Sequence, residues 1–173
     1  SYIGGHGDPL FAQRLTQLVL GTESPVIAAQ RAAASQTPGG TGALRLAADF
    51  IGHCLPGRGI WLSDPTWPIH QTLFAEAGLK VSHYPYVNAD NRLDVEAMLV
   101  ALGQVPVGDV VLLHACCHNP SGFDLSQADW RRVLAVVQAR ELLPLIDFAY
   151  QGFGDGLEAD AWAVRLFAES LPE

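Results

Sequence analysis

The stretch LLPLIDFAYQGF, residues 142–153, contains an apolar run that predicts a buried strand and ends at a carboxylate, Asp147. An isolated ionised carboxylate is costly to bury, so this side chain needs a partner. The spacing alone leaves two alternatives. Asp147 is either a helix cap or part of a buried ion pair, or it faces a cationic ring nitrogen, which would stabilise both charges in a dry site. In the second case Tyr150 would donate a hydrogen bond to an oxygen of the same ring.

Short strands of this kind alternate with amphipathic helices along the chain. The predicted strands are GIWLS (59–63), KVSHYPY (80–86), DVVLLHA (109–115) and LPLIDFA (143–149). The predicted helices are GDPLFAQRLTQLVLG (7–21), ALRLAADFIGHCL (43–55), WPIHQTLFAEAG (67–78), LDVEAMLVAL (93–102) and SQADWRRVLAVVQAREL (126–142). Continuous apolar strands separated by such helices indicate a three-layer α/β/α fold with a mostly parallel sheet.

The composition is that of a globular protein and excludes several functions. Apolar residues make up 49% of the 173 residues and charged residues 16%, which is enough apolar content for one packed domain. The formal net charge of -8 argues against a nucleic-acid partner, and no apolar run is long enough to predict a membrane helix. The three cysteines, Cys54, Cys116 and Cys117, are a poor disulfide framework and indicate a reducing, cytoplasmic compartment.

A glycine-rich turn, QTPGGTGALR (36–45), runs into the second predicted helix. Gly39, Gly40 and Gly42 would let the backbone approach a ligand closely, and the amides at the helix start together with the Thr41 hydroxyl suit a phosphate. The alternative is an ordinary strand-to-helix turn. No Gly-Lys-Ser/Thr follows, so the segment is not a P-loop, which argues against a nucleotide-binding α/β protein.

Two further segments follow predicted strands, at the sheet edge where ligands bind in such folds. HACCHNPSG (114–122) has two His and two Cys, but their spacing fits no usual zinc site, and we predict no metal. The segment is first of all a turn, in which the Asn119 amide either points at a ligand or is only structural. In DPTWPIH (64–70), Trp67 is either a core or lid residue or a stacking surface for a flat ring.

These features together match one ligand. The glycine-rich turn suits a phosphate, Trp67 a flat ring, Asp147 a ring nitrogen, and Asn119 with Tyr150 a ring oxygen. Pyridoxal 5'-phosphate has all four features.

The four segments QTPGGTGALR, DPTWPIH, HACCHNPSG and DFAYQGF resemble, in order and approximate spacing, the large domain of the aspartate and aromatic amino acid aminotransferases. These are class I aminotransferases of the fold-type I pyridoxal-phosphate enzymes. The resemblance runs over nearly all of the chain. It implies that residues 1–173 are part of the cofactor-binding large domain of a homodimer that transfers the amino group of L-aspartate or aromatic L-amino acids to the 2-oxo acid 2-oxoglutarate.

The resemblance also implies a role for individual residues. Gly40 and Thr41, with Gly39 beside them, would bind the cofactor phosphate, and Tyr2 would reach the phosphate of the neighbouring subunit. Trp67 would stack on the ring and lie near the substrate carboxylate.

On the polar side of the ring, Asp147 would pair with the protonated nitrogen. His70 would support Asp147 without touching the cofactor, and His114 would be a further residue of this supporting kind. Asn119 and Tyr150 would bind the ring hydroxyl, and Asn119 would also contact the substrate.

The sequence departs from this family in one important respect. The only lysine is Lys80, at a helix-to-strand junction, where it is wrongly placed to form the Schiff base with the cofactor. The family's Schiff-base lysine and two arginines that bind phosphate and substrate are expected beyond Glu173, and the N-terminal arm and small domain are absent. We therefore expect an internal fragment without a catalytic residue of its own. The alternative is a folded module that is not catalytic, and the choice between aspartate and aromatic substrates stays open.

One structural expectation follows from the same comparison. The segment that would pair with the strand ending at Asp147 is missing, so residues 143–148 should form an exposed sheet edge. We also expect the isolated chain to self-associate or to pack its first forty residues poorly.

Overall fold

The computed structural model describes residues 4–172, so Tyr2, the predicted phosphate ligand of a neighbouring subunit, lies outside the described residues. The chain divides into two compact units. One contains residues 4–43 and 151–172 of the described part, and the other contains residues 44–150.

The elements alternate between helices and strands as the sequence predicts. The helices are α1 (Pro9–Leu20), α2 (Pro25–Ala28), α3 (Gly39–Cys54), α4 (Pro68–Glu76), α5 (Val95–Leu102), α6 (Gln127–Ala139), α7 (Leu157–Asp160) and α8 (Trp162–Ser170). The strands are β1 (Gly59–Asp64), β2 (Lys80–Pro85), β3 (Val110–His114) and β4 (Leu143–Asp147). The short helix α2 and the pair α7 and α8 are not predicted from the sequence.

The four strands of the second unit form one parallel sheet in the order β2-β1-β3-β4. One core cluster joins α3 and α4 to the sheet, through Leu44, Ala48, Ile51, Ile60, Leu62, Leu73, Phe74, Leu79, Val110 and Leu112. The alternate side chains of β3, Val111 and Leu113, are buried as well, and α5 packs against both α6 and β2. Alternate residues of one strand are therefore buried on both faces, which confirms the predicted α/β architecture with a parallel sheet.

The strand that carries Asp147 lies at the edge of this sheet, as predicted. Within residues 4–172, β4 pairs with β3 alone. All five residues of β4 are partly exposed, so the prediction of a fully buried strand is wrong. The physical reason is that a strand with one neighbour is covered on one side only.

Asp109 connects β1 and β3 at the end of the sheet where the strands begin. This buried carboxylate accepts hydrogen bonds from the Gly59 amide and from the Trp61 indole Nε1, each at 3.0 Å. Because these donors belong to β1 and Asp109 directly precedes β3, the carboxylate ties the two central strands together.

Helix boundaries follow their capping residues in most places. Asp8 accepts from the Phe11 amide, Pro9 occupies the first turn, and Gly21 ends α1 at a positive φ of 91°, all as predicted. The helix α3 is the exception, because it begins at Gly39 and not near Ala43. Its glycines form the first helical turn, and no described strand directly precedes them.

Charged side chains bind backbone groups at several points of the first unit. The helix α1 contacts α8, whose Arg165 donates to the Val19 carbonyl at 3.0 Å and pairs with Glu158. Arg31 donates to the Leu171 carbonyl at 2.6 Å and thereby caps the end of α8. The carboxylate of buried Asp160 accepts from three amides of the glycine-rich segment 152–155 and fixes that loop.

Candidate active site

Asp147 lies at the carboxyl end of β4, and its partner is His70 on α4. The Asp147 Oδ2 atom is 3.0 Å from His70 Nε2, and the imidazole is fully buried while the carboxylate side chain is 20% exposed. Burial alone would raise the pKa of Asp147, but the surrounding interactions, above all the hydrogen bond from His70, outweigh it, and the net shift is downward. Asp147 is therefore an anion with one oxygen committed to a histidine.

Thr66 extends this pair into a hydrogen-bonded row. The Thr66 Oγ1 atom is 2.8 Å from His70 Nδ1 and 3.2 Å from His114 Nε2. Burial, with a further contribution from the charge of His118, lowers the pKa of His114 to about 3, so this ring is neutral near pH 7. One proton arrangement then serves every bond, with His114 Nε2–H donating to Thr66, Thr66 O–H to His70, and His70 Nε2–H to Asp147.

The structure thus brings together Asp147, His70 and His114, three of the predicted site residues, and adds Thr66. The sequence contained one signal for Thr66, which is its position four residues before His70, just ahead of a predicted helix. That closeness along the chain is compatible with a contact to His70, but it does not identify the hydroxyl as the link to His114.

Trp67 lies at the N-cap of α4, directly after Thr66. Its ring meets the His70 ring edge-on, with centroids 5.3 Å apart and an interplanar angle of 83°, and it packs partly against the main core cluster. Trp67 is only partly buried, so part of the indole remains available to a ligand.

The predicted turn after β3 is held by an acidic side chain and two hydroxyls. The Asp124 carboxylate accepts from the amides of Cys117 and His118 at 2.7 and 2.9 Å. His118 uses both ring nitrogens, with Nε2 at 3.0 Å from Ser63 Oγ and Nδ1 at 2.8 Å from Ser121 Oγ. Within residues 4–172 no group of three or more His, Cys, Asp or Glu side chains is arranged to hold a metal ion.

Asn119 and Tyr150 are placed at the same strand-end edge of the sheet as Asp147. Asn119 follows His118 and is partly buried, and its side chain forms no hydrogen bond within the described part of the chain. Tyr150 lies three residues after the end of β4 and is 41% exposed. Both polar groups are therefore free to bind a ligand.

The glycine-rich turn belongs to the first unit and has the geometry of an open helix start. Gly39 has a positive φ of 73°, and a Cβ atom at Gly39 or Gly40 would meet nothing within 4 Å. A Cβ atom at Gly42 would approach Pro38 Cδ to 2.9 Å. Thr41 is exposed, and no acidic residue occupies the first turn of α3, so its amides and positive dipole end are open to an anion.

Two further expectations concern the wider chain. Lys80 is the first residue of β2 and pairs in register with Gly59, the first residue of β1. In a parallel sheet this places the lysine at the end where the strands begin, whereas Asp147 lies at the end where they finish. Among the residues that the structure describes, no helix combines the length and apolar character needed to cross a membrane.

Comparison with known proteins gives consistent matches over the whole chain. The family model for aminotransferase class I and II matches residues 1–173. An aromatic-amino-acid aminotransferase of Pseudomonas aeruginosa is 80% identical over 173 residues, and an aspartate aminotransferase of Salmonella typhi is 47% identical over 169 residues. The chain covers 43% of the length of each of these relatives, and the matches include 100% and 97% of the chain itself.

Solved structures agree with the sequence matches. The structure of an aromatic-amino-acid aminotransferase from Burkholderia pseudomallei, covalently bound to pyridoxal phosphate, has a TM-score of 0.95 and 47% identity. An aromatic amino acid aminotransferase from Psychrobacter sp. B6, cocrystallised with aspartic acid, has a TM-score of 0.95 and 37% identity. Each match covers 98% of this chain and 43% of the other.

Proposed function

The chain belongs to the class I and II aminotransferases, and on that premise we propose that the full-length protein is a pyridoxal 5'-phosphate-dependent aminotransferase. Its amino donor would be L-aspartate or an aromatic L-amino acid, and its acceptor the 2-oxo acid 2-oxoglutarate. Relatives named for aromatic amino acids and for aspartate both match the chain, which supports these two donor classes. The observation that carries the proposal is the anionic Asp147 bound to buried His70 at the end of β4.

The residues around Asp147 fit the ring of this cofactor. A pyridine nitrogen holds a proton best beside a fixed anion in a partly dry site, and Asp147 is an anion that is 20% exposed. The cofactor, when bound, supplies an electron sink for the bond that breaks at the substrate Cα. Asp147 would keep the proton on the ring nitrogen, and His70 would keep the carboxylate in place.

The row behind Asp147 would hold the carboxylate in one orientation. His70 Nδ1 bonds to Thr66, and Thr66 also bonds to His114, so each group is tied to its neighbours. His114 is neutral near pH 7, since burial lowers its pKa to about 3. The row would therefore act as a rigid support of Asp147.

Other residues would bind the remaining parts of the cofactor. Gly40 and Thr41, with Gly39 beside them, would hold the phosphate at the start of α3, where the open amides favour an anion. Trp67 would stack on the ring and contact the substrate carboxylate. Asn119 and Tyr150 would donate to the ring hydroxyl, and Asn119 would also contact the substrate.

The wider organisation of the protein is part of the same proposal. Residues 1–173 would form part of the large domain of a cytoplasmic homodimer, with Tyr2 reaching the phosphate of the neighbouring subunit. The only lysine, Lys80, is the first residue of β2, at the opposite end of the strands from Asp147. It would therefore not bind the cofactor covalently. This placement also favours the second candidate function, in which residues 1–173 alone are a folded module without catalytic activity.

A pair of aspartate variants of the full-length protein tests the proposal. Asp147→Ala should lower transamination of aspartate or tyrosine with 2-oxoglutarate about a hundredfold or more, because it removes a charge-assisted contact in a dry site. Asp64→Ala is the matched control, since Asp64 is an exposed residue that ends the central strand β1. Near-normal turnover by Asp147→Ala, with only a lowered melting temperature, would make Asp147 a structural residue and refute the proposal.

The isolated chain gives a second test. Residues 1–173 alone should show no transamination, because no lysine is placed to bind the cofactor covalently or to move the substrate proton. Turnover in the ordinary range of about 1–1000 per second would contradict this expectation.

A further inference from the structure

His118 is a buried histidine whose ring is held on every side. It is 2% exposed, and its ring stacks on Tyr86 with centroids 4.0 Å apart and an interplanar angle of 14°. His114 lies against it at 4.3 Å. Ser63 and Ser121 bind its two nitrogens. A ring fixed in this way is a rigid spacer between β1, which carries Ser63, and the turn that carries Ser121.

One direction of hydrogen bonding satisfies the donors around this ring. The Phe123 amide donates to Ser121 Oγ at 3.2 Å, which leaves the Ser121 hydroxyl proton for His118 Nδ1. His118 Nε2–H then donates to Ser63 Oγ. In this arrangement the imidazole is neutral and carries its proton on Nε2.

The same ring also connects the turn to the sheet. Ser63, which bonds to His118 Nε2, is a buried residue of the central strand β1. The turn is thus connected through His118 to the centre of the sheet. Burial lowers the pKa of His118 to about 4, so the neutral ring of this arrangement is present near pH 7.

The residue that this spacer holds is Asn119. The backbone on both sides is fixed, since Asp124 binds the amides of Cys117 and His118, and the Gly122 amide donates to the His118 carbonyl at 2.7 Å. Tyr86 holds the far side of the turn through a 2.6 Å hydrogen bond to the Phe123 carbonyl. The Asn119 side chain has no internal partner within residues 4–172, so its position depends on the backbone that carries it.

We propose that His118 is a positioning residue for the cofactor, acting through Asn119. Its neutral imidazole, held between Ser63 and Ser121, fixes the position and orientation of the Asn119 amide relative to the hydroxyl group of the cofactor ring. This inference rests on the proposed function, because it takes pyridoxal 5'-phosphate as the ligand of Asn119. It assigns His118 no contact with the cofactor or the substrate.

A double-mutant cycle in the full-length protein tests this role. The readout is the dissociation constant of pyridoxal 5'-phosphate for the cofactor-free protein. Asn119→Ala and His118→Phe should each weaken binding about tenfold, the loss expected for one hydrogen bond to the ligand. In the Asn119→Ala background, His118→Phe should add less than about a twofold loss, because its effect passes through Asn119.

A spectroscopic measurement supplies a second readout. The pH midpoint of the visible absorption change of the bound cofactor is sensitive to the hydrogen bonds that the ring oxygen accepts. Both variants should shift this midpoint in the same direction, and the double variant should shift it no further. His118→Gln is the gentler change, since its amide can still donate to Ser63 while the ring that stacks on Tyr86 is lost.

A structural control separates positioning from stability. Asp109→Asn weakens a buried clamp at the opposite end of the same strands, so it should lower the melting temperature and leave the dissociation constant unchanged. If His118→Phe does not fold, His118→Gln carries the cycle.

The outcomes distinguish this inference from the proposed function. A wild-type protein that does not bind pyridoxal 5'-phosphate would refute the proposed function itself. A wild type that binds the cofactor and is weakened by Asn119→Ala, but not by either His118 variant, would overturn the role of His118 alone. Losses from His118 and Asn119 that simply multiply would also overturn it, because they would show two independent effects.

Discussion

Two histidines of the candidate site, half-buried His114 and buried His118, should make the protein sensitive to mild acid. Burial lowers the pKa of His114 to about 3 and that of His118 to about 4, although Asp147 and Asp124 favour the protonated rings. An unfolded chain protonates histidine near pH 6.5, so between pH 6.5 and 4 it binds more protons than the folded protein. The free energy of unfolding must therefore fall as the pH is lowered through this range.

The size of the effect follows from the two pKa values. At pH 5, a histidine with an unfolded pKa of about 6.5 and a folded pKa of about 3 or 4 loses about 2 kcal/mol of stabilisation relative to high pH. Two such residues give an upper value of about 4 kcal/mol, and their mutual contact at 4.3 Å makes the sum smaller than independent sites would give. Asp147, whose pKa is lowered, adds a loss of the same sign at still lower pH.

Urea unfolding at pH 7.5 and pH 5.0 measures this difference. The wild type should lose about 2–4 kcal/mol between the two pH values. A His118→Gln variant should lose about 2 kcal/mol less over the same interval, whatever its stability at pH 7.5. His53→Gln, at an exposed position on α3, is the control and should keep the wild-type difference. Equal stability of the wild type at both pH values would show that the two rings accept protons without cost, and the reasoning would fail.

Three further predictions concern single contacts. Thr66→Val should lower the free energy of unfolding by about 2–4 kcal/mol, because it leaves two ring nitrogens unsatisfied. Thr66→Ser keeps the hydroxyl and should cost less than about 1.5 kcal/mol. Equal losses of the two variants in chemical denaturation would contradict a role of the hydroxyl. Gly39→Ala should destabilise by about 1 kcal/mol because of its positive φ, while Gly40→Ala should not, and a melting-temperature comparison decides between them. Arg165→Gln should release the carbonyls at the end of α1 and speed amide exchange in α8 and residues 15–21, and unchanged exchange would argue against this anchor.

The sequence predicts those parts of the fold that depend on local patterns. The apolar runs locate all four strands, and Asp8 with Pro9 and Gly21 sets the limits of α1. The start of α3 was placed too late because glycine has a low intrinsic helix propensity, and here the helix begins with glycines regardless.

The links inside the candidate site could not be read from the sequence in the same way. His118 and Ser63 are 55 residues apart in the chain, and Thr66 and His114 are 48 apart. No periodicity relates such pairs, because they meet only when two parallel strands come into register. The sequence could single out Asp147 as a carboxylate in need of a partner, and the fold was needed to identify the row of side chains behind it.

The pairing of the strands divides the sheet into two parts. The register joins β1 to β2 over six residue pairs and β3 to β4 over five, but β1 meets β3 over only two, Ile60 with Val110 and Trp61 with Val111. The sheet is thus two half-sheets joined along a short seam. We expect amide exchange to show these half-sheets as separate cooperative substructures.

The candidate site spans this seam. Thr66 and His70 follow β1, while His114 and Asp147 end β3 and β4, so both hydrogen bonds between these pairs cross from one half-sheet to the other. A ligand that contacts both sides acts as a cross-link, and linkage requires it to stabilise the joined state by an amount set by its concentration relative to its dissociation constant. Occupancy of the site and cohesion of the sheet are therefore two linked equilibria, and each can be measured through the other.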